Sequence, residues 1–114
     1  MSENIKDKWS VWTAKIFFDD GTDFKYRPVI VLSDRIILCI VMGVTSKEKI
    51  HRHGYKIKHW EYAGLKTESW VRFEQLEIGS DKFGRELGML HPDDIEGIQR
   101  WINDISHGHS RYKV

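Results

Sequence analysis

The chain has 114 residues, enough for one domain that buries about two-thirds of its unfolded surface and needs no staple to hold a core. Lys and Arg total 18 against 17 for Asp and Glu, a balance without the long-range field of a protein that coats nucleic acid, so any nucleic acid must be held locally. The single Cys39 excludes an internal disulfide, and its setting in IILCIVMGV reads as a small buried hydrophobe in a reducing compartment.

The first residues, MSENIKDKWS, contain no apolar stretch of signal-peptide length, and the longest apolar run, 36–44, is far short of a bilayer span. A cytoplasmic protein is expected. Residues 1–8 are polar and read as a flexible N-terminus, after which 9–18 alternate as a strand does. DDGTD (19–23) marks a turn. A second strand fits 26–32, although Pro28 cannot donate to a ladder and argues for a strand start, an edge or a bulge. Residues 36–44 are nearly all apolar and largely β-branched, which predicts a strand buried on both faces beside the preceding run.

From 45 to 54 the chain turns polar and basic, as an exposed loop would, before a short strand at 55–58. HWEYAGL (59–65) reads as one helical turn closed by Gly64 in a left-handed position. Another strand is expected at 67–77, then a tight turn over 79–84 and a last short strand at 85–90. The convincing helix is terminal. Pro92 suits its first position, Asp93 and Asp94 complement the N-terminal dipole, Ile95, Ile98, Trp101, Ile102 and Ile105 form one apolar stripe, and Gly108 stops it. A single domain over 9–107 with a flexible tail at 108–114 follows. Many short strands before one helix predict an α+β fold, a small antiparallel barrel with a C-terminal helix.

The chemistry-bearing residues lie in the strand-like runs. Arg27 in KYRPVIVLS and Arg72 in ESWVRFEQLEI are costly to bury, because guanidinium stays charged and must find acceptors, so the pair suggests a site built for an anion. Pro28 holds the chain extended at Arg27 and fixes its direction. The 36–44 run ends in Thr45 and Ser46, whose hydroxyls suit the same anion. Glu74 follows Arg72 by two residues, a spacing that puts both side chains on one face of a regular strand. Each has a plain structural reading too: a surface ion pair for Arg72 and Glu74, strand-end turn formers for Thr45 and Ser46, core for the five tryptophans. Trp70, beside Arg72, offers a stacking surface for a base. His51, His53 and His59, or His107 with His109, lack the rigid spacing of a zinc site, so neither a metal nor a cofactor is expected. Phosphate-cradling glycine loops, serine elbows and helical metal motifs are absent from the sequence.

Arg27-Pro28-Val29 in KYRPVIVLS, the run closing in VTS, the Ser69-x-Val71-Arg72 stretch of HWEYAGLKTESWVRFEQLEI and the near-terminal RELGML together resemble the MazF/PemK family of toxin endoribonucleases over nearly the whole chain. The resemblance implies an SH3-like, MazF-type barrel, a homodimer, a cognate antitoxin and metal-independent cleavage of single-stranded RNA to 2′,3′-cyclic phosphate and 5′-hydroxyl ends. Arg27 matches the family's active-site arginine, Thr45 with Ser46 the hydroxyl at the scissile phosphate, and Arg72 and Glu74 an arginine and acid used in some branches. RNA contacts are expected at Lys25, Ser46, Lys47, Ser69, Trp70 and Gln75. Two departures stand out. Trp9-Ser10-Val11 replaces the usual Gly-Asp or Gly-Glu opening, and the short DDGTDFK loop lacks the histidine of one branch, which leaves the proton donor open between water and a histidine such as His59. A catalytically silent barrel of this kind, binding protein or RNA as the gyrase toxins bind their target, is the alternative.

Overall fold

The computed structural model describes residues 6–17, 23–35, 38–46 and 54–107, and of Leu38, Phe73, Glu74, Ser106 and His107 the backbone alone. Of the expected flexible N-terminus at 1–8, residues 1–5 lie outside these, as do the expected tail at 108–114 and the Gly108 stop. Strands β1 (Ser10–Phe17), β2 (Phe24–Asp34), β3 (Leu38–Thr45), β4 (Tyr55–Lys56), β5 (Trp70–Gly79) and β6 (Phe83–Met89) precede helix α1 (Pro92–His107). They form one sheet of order β4-β5-β3-β2-β1-β6, with every described ladder antiparallel.

The two β-branched runs make its centre, as their composition predicts. Val29, Ile30 and Val31 of β2 pair with Gly43, Met42 and Val41 of β3. Because alternate residues point to opposite faces, β3 feeds two cores. Met42 and Val44 join Val11, Ile30, Val71 and Ile98 on the helix side, while Cys39 and Val41 join Ala14, Val29, Val31 and Ile78 on the other. Burial, and then a hydrogen bond with Asp34, pushes the Cys39 thiol up to about 11, as expected of an inert core cysteine. Pro28 pairs with Thr13 of β1 and stands one residue before the first β2–β3 pair. Its missing donor therefore falls where the second ladder has ended.

The outer strands β4 and β6 are not hydrogen-bonded to each other, so the sheet is open among the described residues, where closure was expected. The segment between β4 and β5 occupies that gap. Its backbone at Ala63–Gly64 approaches β6 so closely that a side chain on Gly64 would overlap the Leu87 carbonyl, and one on Gly88 would lie 2.7 Å from the Ala63 carbonyl oxygen. Gly64 has φ of 86°, the predicted left-handed position, with Gly64 N–H donating to Glu61 O at 3.1 Å and Leu65 N–H to Trp60 O at 3.0 Å. A turn results rather than a helix.

β4 stops earlier than expected because the Lys58 and His59 amides donate to Asp94, at 2.8 and 2.9 Å, instead of to a strand. Asp94, in the first turn of α1, is fully buried and also accepts from the Tyr55 hydroxyl at 2.8 Å. The acid expected to serve the helix dipole thus also ties the start of α1 to the segment through β4 and His59. Burial, then Asp94, holds the Tyr55 phenol above its ordinary range. Its contribution is full below the unfolded phenol's value of about 10 and is lost as pH climbs through the folded value. Tyr55→Phe is expected to cost about 1 kcal/mol near neutral pH and to flatten the alkaline fall in stability, both read from denaturant midpoints across pH.

Helix α1 begins at Pro92 as predicted. It lays Ile98 fully into the core, with Ile95, Trp101 and Ile102 packed around it. No helix among the described residues is long and apolar enough to cross a membrane.

Candidate active site

β1, β2 and β3 run antiparallel, so the end of β3 lies beside the start of β2. Val29 pairs with Gly43 as the end of that ladder, and Arg27 and Thr45 each lie two residues beyond it on their own strands. A cleft of about 300 Å³ opens at this end. Arg27, Thr45 and Ser46 line it together with Ser69, and its other walls come from Tyr26 and Pro28, from the Gly64–Thr67 stretch and from Arg85 and Leu87 of β6. Four residues chosen from sequence therefore meet in one concavity.

Its charge is one-sided. Arg27, Lys66 and Arg85 line the cleft, and among the described residues no carboxylate does. Arg27 is half-buried, and no described group accepts a hydrogen bond from its guanidinium. A partly desolvated guanidinium without an internal acceptor is poised for an external anion. Ser69 is 4% exposed and donates its hydroxyl to Thr67 O at 2.8 Å, so it shapes the wall through its backbone turn. Thr45 is half-buried and Ser46 exposed at the mouth.

Arg72 is exposed and does not line the cleft, but it is close. A side chain on Gly43 would stand 3.6 Å from Arg72 Cδ, and Gly43 shares a strand face with Thr45. β5 is irregular here. Met42 pairs with Gln75 and Val44 with Val71, so residues 72–74 bulge opposite the single Gly43. Regular alternation between Arg72 and Glu74, the basis for placing both on one face, does not hold through a bulge. The Glu74 side chain lies outside the described residues, as does all of Lys47.

Trp70 is 8% exposed, with Lys56 Nζ over its ring at 5.6 Å, and does not line the cleft. Gln75 and Lys25 are exposed and do not line it either. His59 points elsewhere, its Nε2 being 3.1 Å from Asp93 Oδ2.

Sequence reasoning missed two of the cleft cations, Lys66 and, on β6, Arg85. The Arg85 amide donates to Thr13 Oγ1 at 2.9 Å, which seats β6 against β1 at the cleft. The criterion that singled out Arg27 and Arg72, an arginine within a strand-like run, applies equally to RELGML. What the sequence does not reveal is that β6 pairs with β1 rather than with its predecessor β5.

The family model described as the PemK-like, MazF-like toxin of type II toxin-antitoxin system matches residues 7–106. No curated protein matches the chain.

Proposed function

Since the chain belongs to the PemK-like, MazF-like toxins of type II toxin-antitoxin systems, we propose that it is an endoribonuclease that cuts single-stranded RNA at the cleft without a metal ion. The observation that carries this reading is the meeting of Arg27, Thr45 and Ser46 with Arg85 in one cation-lined concavity.

RNA brings its own nucleophile. The 2′-hydroxyl attacks the adjacent phosphorus, the P–O5′ bond breaks, and 2′,3′-cyclic phosphate and 5′-hydroxyl ends remain. Glu74, on β5 two positions after Arg72, is the proposed base that takes the 2′-proton. Arg27, with Arg72 beside Gly43, stabilises the charge that grows on the phosphorane oxygens. Thr45 fixes a non-bridging oxygen by donating its hydroxyl. Guanidinium is too weak an acid to give up its proton readily, and His59 does not line the cleft; water is therefore assigned to protonate the departing 5′-oxygen. Ser46, Ser69, Lys25, Lys47 and Gln75 extend the RNA path, while Trp70, 8% exposed and outside the cleft lining, is left to the core.

A homodimer, closure of the sheet into an SH3-like barrel, a cytoplasmic location and neutralisation by a cognate antitoxin complete the proposal. The test is incubation of purified protein with mixed-sequence single-stranded RNA in chelator, followed by end mapping. Fragments with cyclic-phosphate and 5′-hydroxyl ends are expected. RNA left intact at high protein concentration overturns the proposal in favour of a silent binding module.

Arg85→Ala should raise KM about tenfold with little change in the saturated single-turnover rate, since a guanidinium on the β6 wall contributes to phosphate binding more than to the reacting oxygens. Such a shift marks uniform binding. An unchanged rate and KM would remove Arg85 from the site.

A further inference from the structure

Outside the cleft, the fold brings His59 against two ligating side chains from much later in the sequence, His91 and Asp93. His59, in the segment after β4, meets Asp93 in the first turn of α1, 34 positions away. His59 Nε2 is 3.1 Å from Asp93 Oδ2, His91 Nδ1 is 3.7 Å from the same oxygen, and one donor atom from each residue falls within 4.8 Å of the others. The two imidazoles stack at 3.9 Å between centroids with 25° between their planes, so a shared ion requires the partly exposed His59 ring to turn out of the stack and aim its in-plane lone pair at it. Asp93 N–H donates to His91 Nδ1 at 3.0 Å, so that nitrogen carries a lone pair rather than a proton.

We propose that His59, His91 and Asp93 form a binding site for a borderline divalent ion of the Zn²⁺ class. Tetrahedral ligands at about 2.0–2.1 Å from zinc stand about 3.3 Å from one another; the two separations from Asp93 Oδ2 bracket that spacing, and the imidazole–imidazole separation, within 4.8 Å, reaches it as His59 turns. Two imidazoles and a carboxylate select Zn²⁺, Co²⁺ or Ni²⁺ over Ca²⁺ and Mg²⁺, which take oxygen-rich sets. Three ligands leave a fourth position for water. The positive end of α1 opposes a cation here, but Asp93 is itself a ligand and Asp94 places a second carboxylate in the same turn. Displacing the Asp93 amide from His91 Nδ1 costs one exposed hydrogen bond, replaced by solvent.

None of the three residues lines the cleft, so the ion takes no part in the reaction assigned there, and the inference stands apart from that assignment. Its effect is mechanical. His59 opens the turn that leads to Gly64–Thr67, the cleft wall, and the ion would tether this wall to the start of α1. A cell's zinc level would then set how firmly the wall is held.

The test uses the full chain, stripped by chelator, dialysed and titrated with Co²⁺. The visible bands of four-coordinate cobalt are expected at one ion per chain, displaced by Zn²⁺. Asp93→Asn and His91→Ala should each weaken binding about 100-fold or more, since even outer-shell changes cost about 10–100-fold. Circular dichroism confirms that each variant is folded. Zn²⁺ should raise the melting temperature of the natural chain and leave that of Asp93→Asn unchanged. Replacing His51, His53, His107 and His109 together with Asn should leave the cobalt bands intact. Three results would overturn the proposal: no bands at millimolar cobalt, bands that survive both Asp93→Asn and His91→Ala, or bands lost in the fourfold variant.

Discussion

Arg27→Ala is expected to reduce single-turnover cleavage of a short single-stranded RNA by about 10²–10³, the range for removing one preorganised donor from a developing oxyanion. The loss should fall on the chemical step, because the charge that Arg27 meets is greatest in the transition state. Stability should hardly change. Arg27 is half-buried, and no described group depends on its guanidinium, so its removal leaves no known partner stranded and takes an unneutralised charge out of the cleft. Arg27→Lys should recover little, because a point charge does not replace a planar fork that grips two phosphate oxygens. Cleavage by Arg27→Ala within about fivefold of the natural chain, with an unchanged denaturant midpoint, would place the reacting phosphate elsewhere.

Asp94→Ala is expected to cost about 3–5 kcal/mol, the largest effect on stability of any change considered. The carboxylate is fully buried and accepts from the Tyr55 hydroxyl and from two backbone amides, Lys58 and His59. Alanine strands all three donors. Each buried unsatisfied group costs about 1–3 kcal/mol, part of which entering water recovers. A domain of this size has about 5–15 kcal/mol in total, so the variant would be marginal at growth temperature. Asp94→Asn, which keeps one acceptor oxygen but turns an amide toward a donor, should fall between. Urea unfolding followed by tryptophan fluorescence measures both, and a loss under about 1 kcal/mol for Asp94→Ala would mean that the three donors find other acceptors.

Local chemistry made much of this fold readable in advance. Pro92 and the acids behind it marked the start of α1, Gly64 marked its left-handed turn, and the apolar run through Cys39 announced a strand covered on both sides. Arg27, Thr45 and Ser46, which line the cleft, stood out as a charge or hydroxyl beside a β-branched run, and Ser69 was singled out through the family resemblance. Less legible was whatever depended on pairing between distant strands. Arg85 reaches the cleft through the β1–β6 ladder, which nothing in RELGML encodes locally. The bulge opposite Gly43 is a property of two strands together, so the two-residue spacing of Arg72 and Glu74 could not reveal it. Asp94 read as a surface acid serving a dipole, because its three donors come from a segment 35 to 39 positions earlier in the chain.

The far wall of the cleft is carried by a connection rather than by a strand. Lys66, Thr67 and Glu68 are exposed, and the bonds that hold this connection are made by Asp94 on one side and by backbone groups on the other. Recognition and scaffold are thereby separable. A combinatorial library confined to Lys66 and Thr67, the two of these that line the cleft, would vary the side chains it presents while leaving every ladder untouched, which makes this short stretch the natural place to transplant a new base preference.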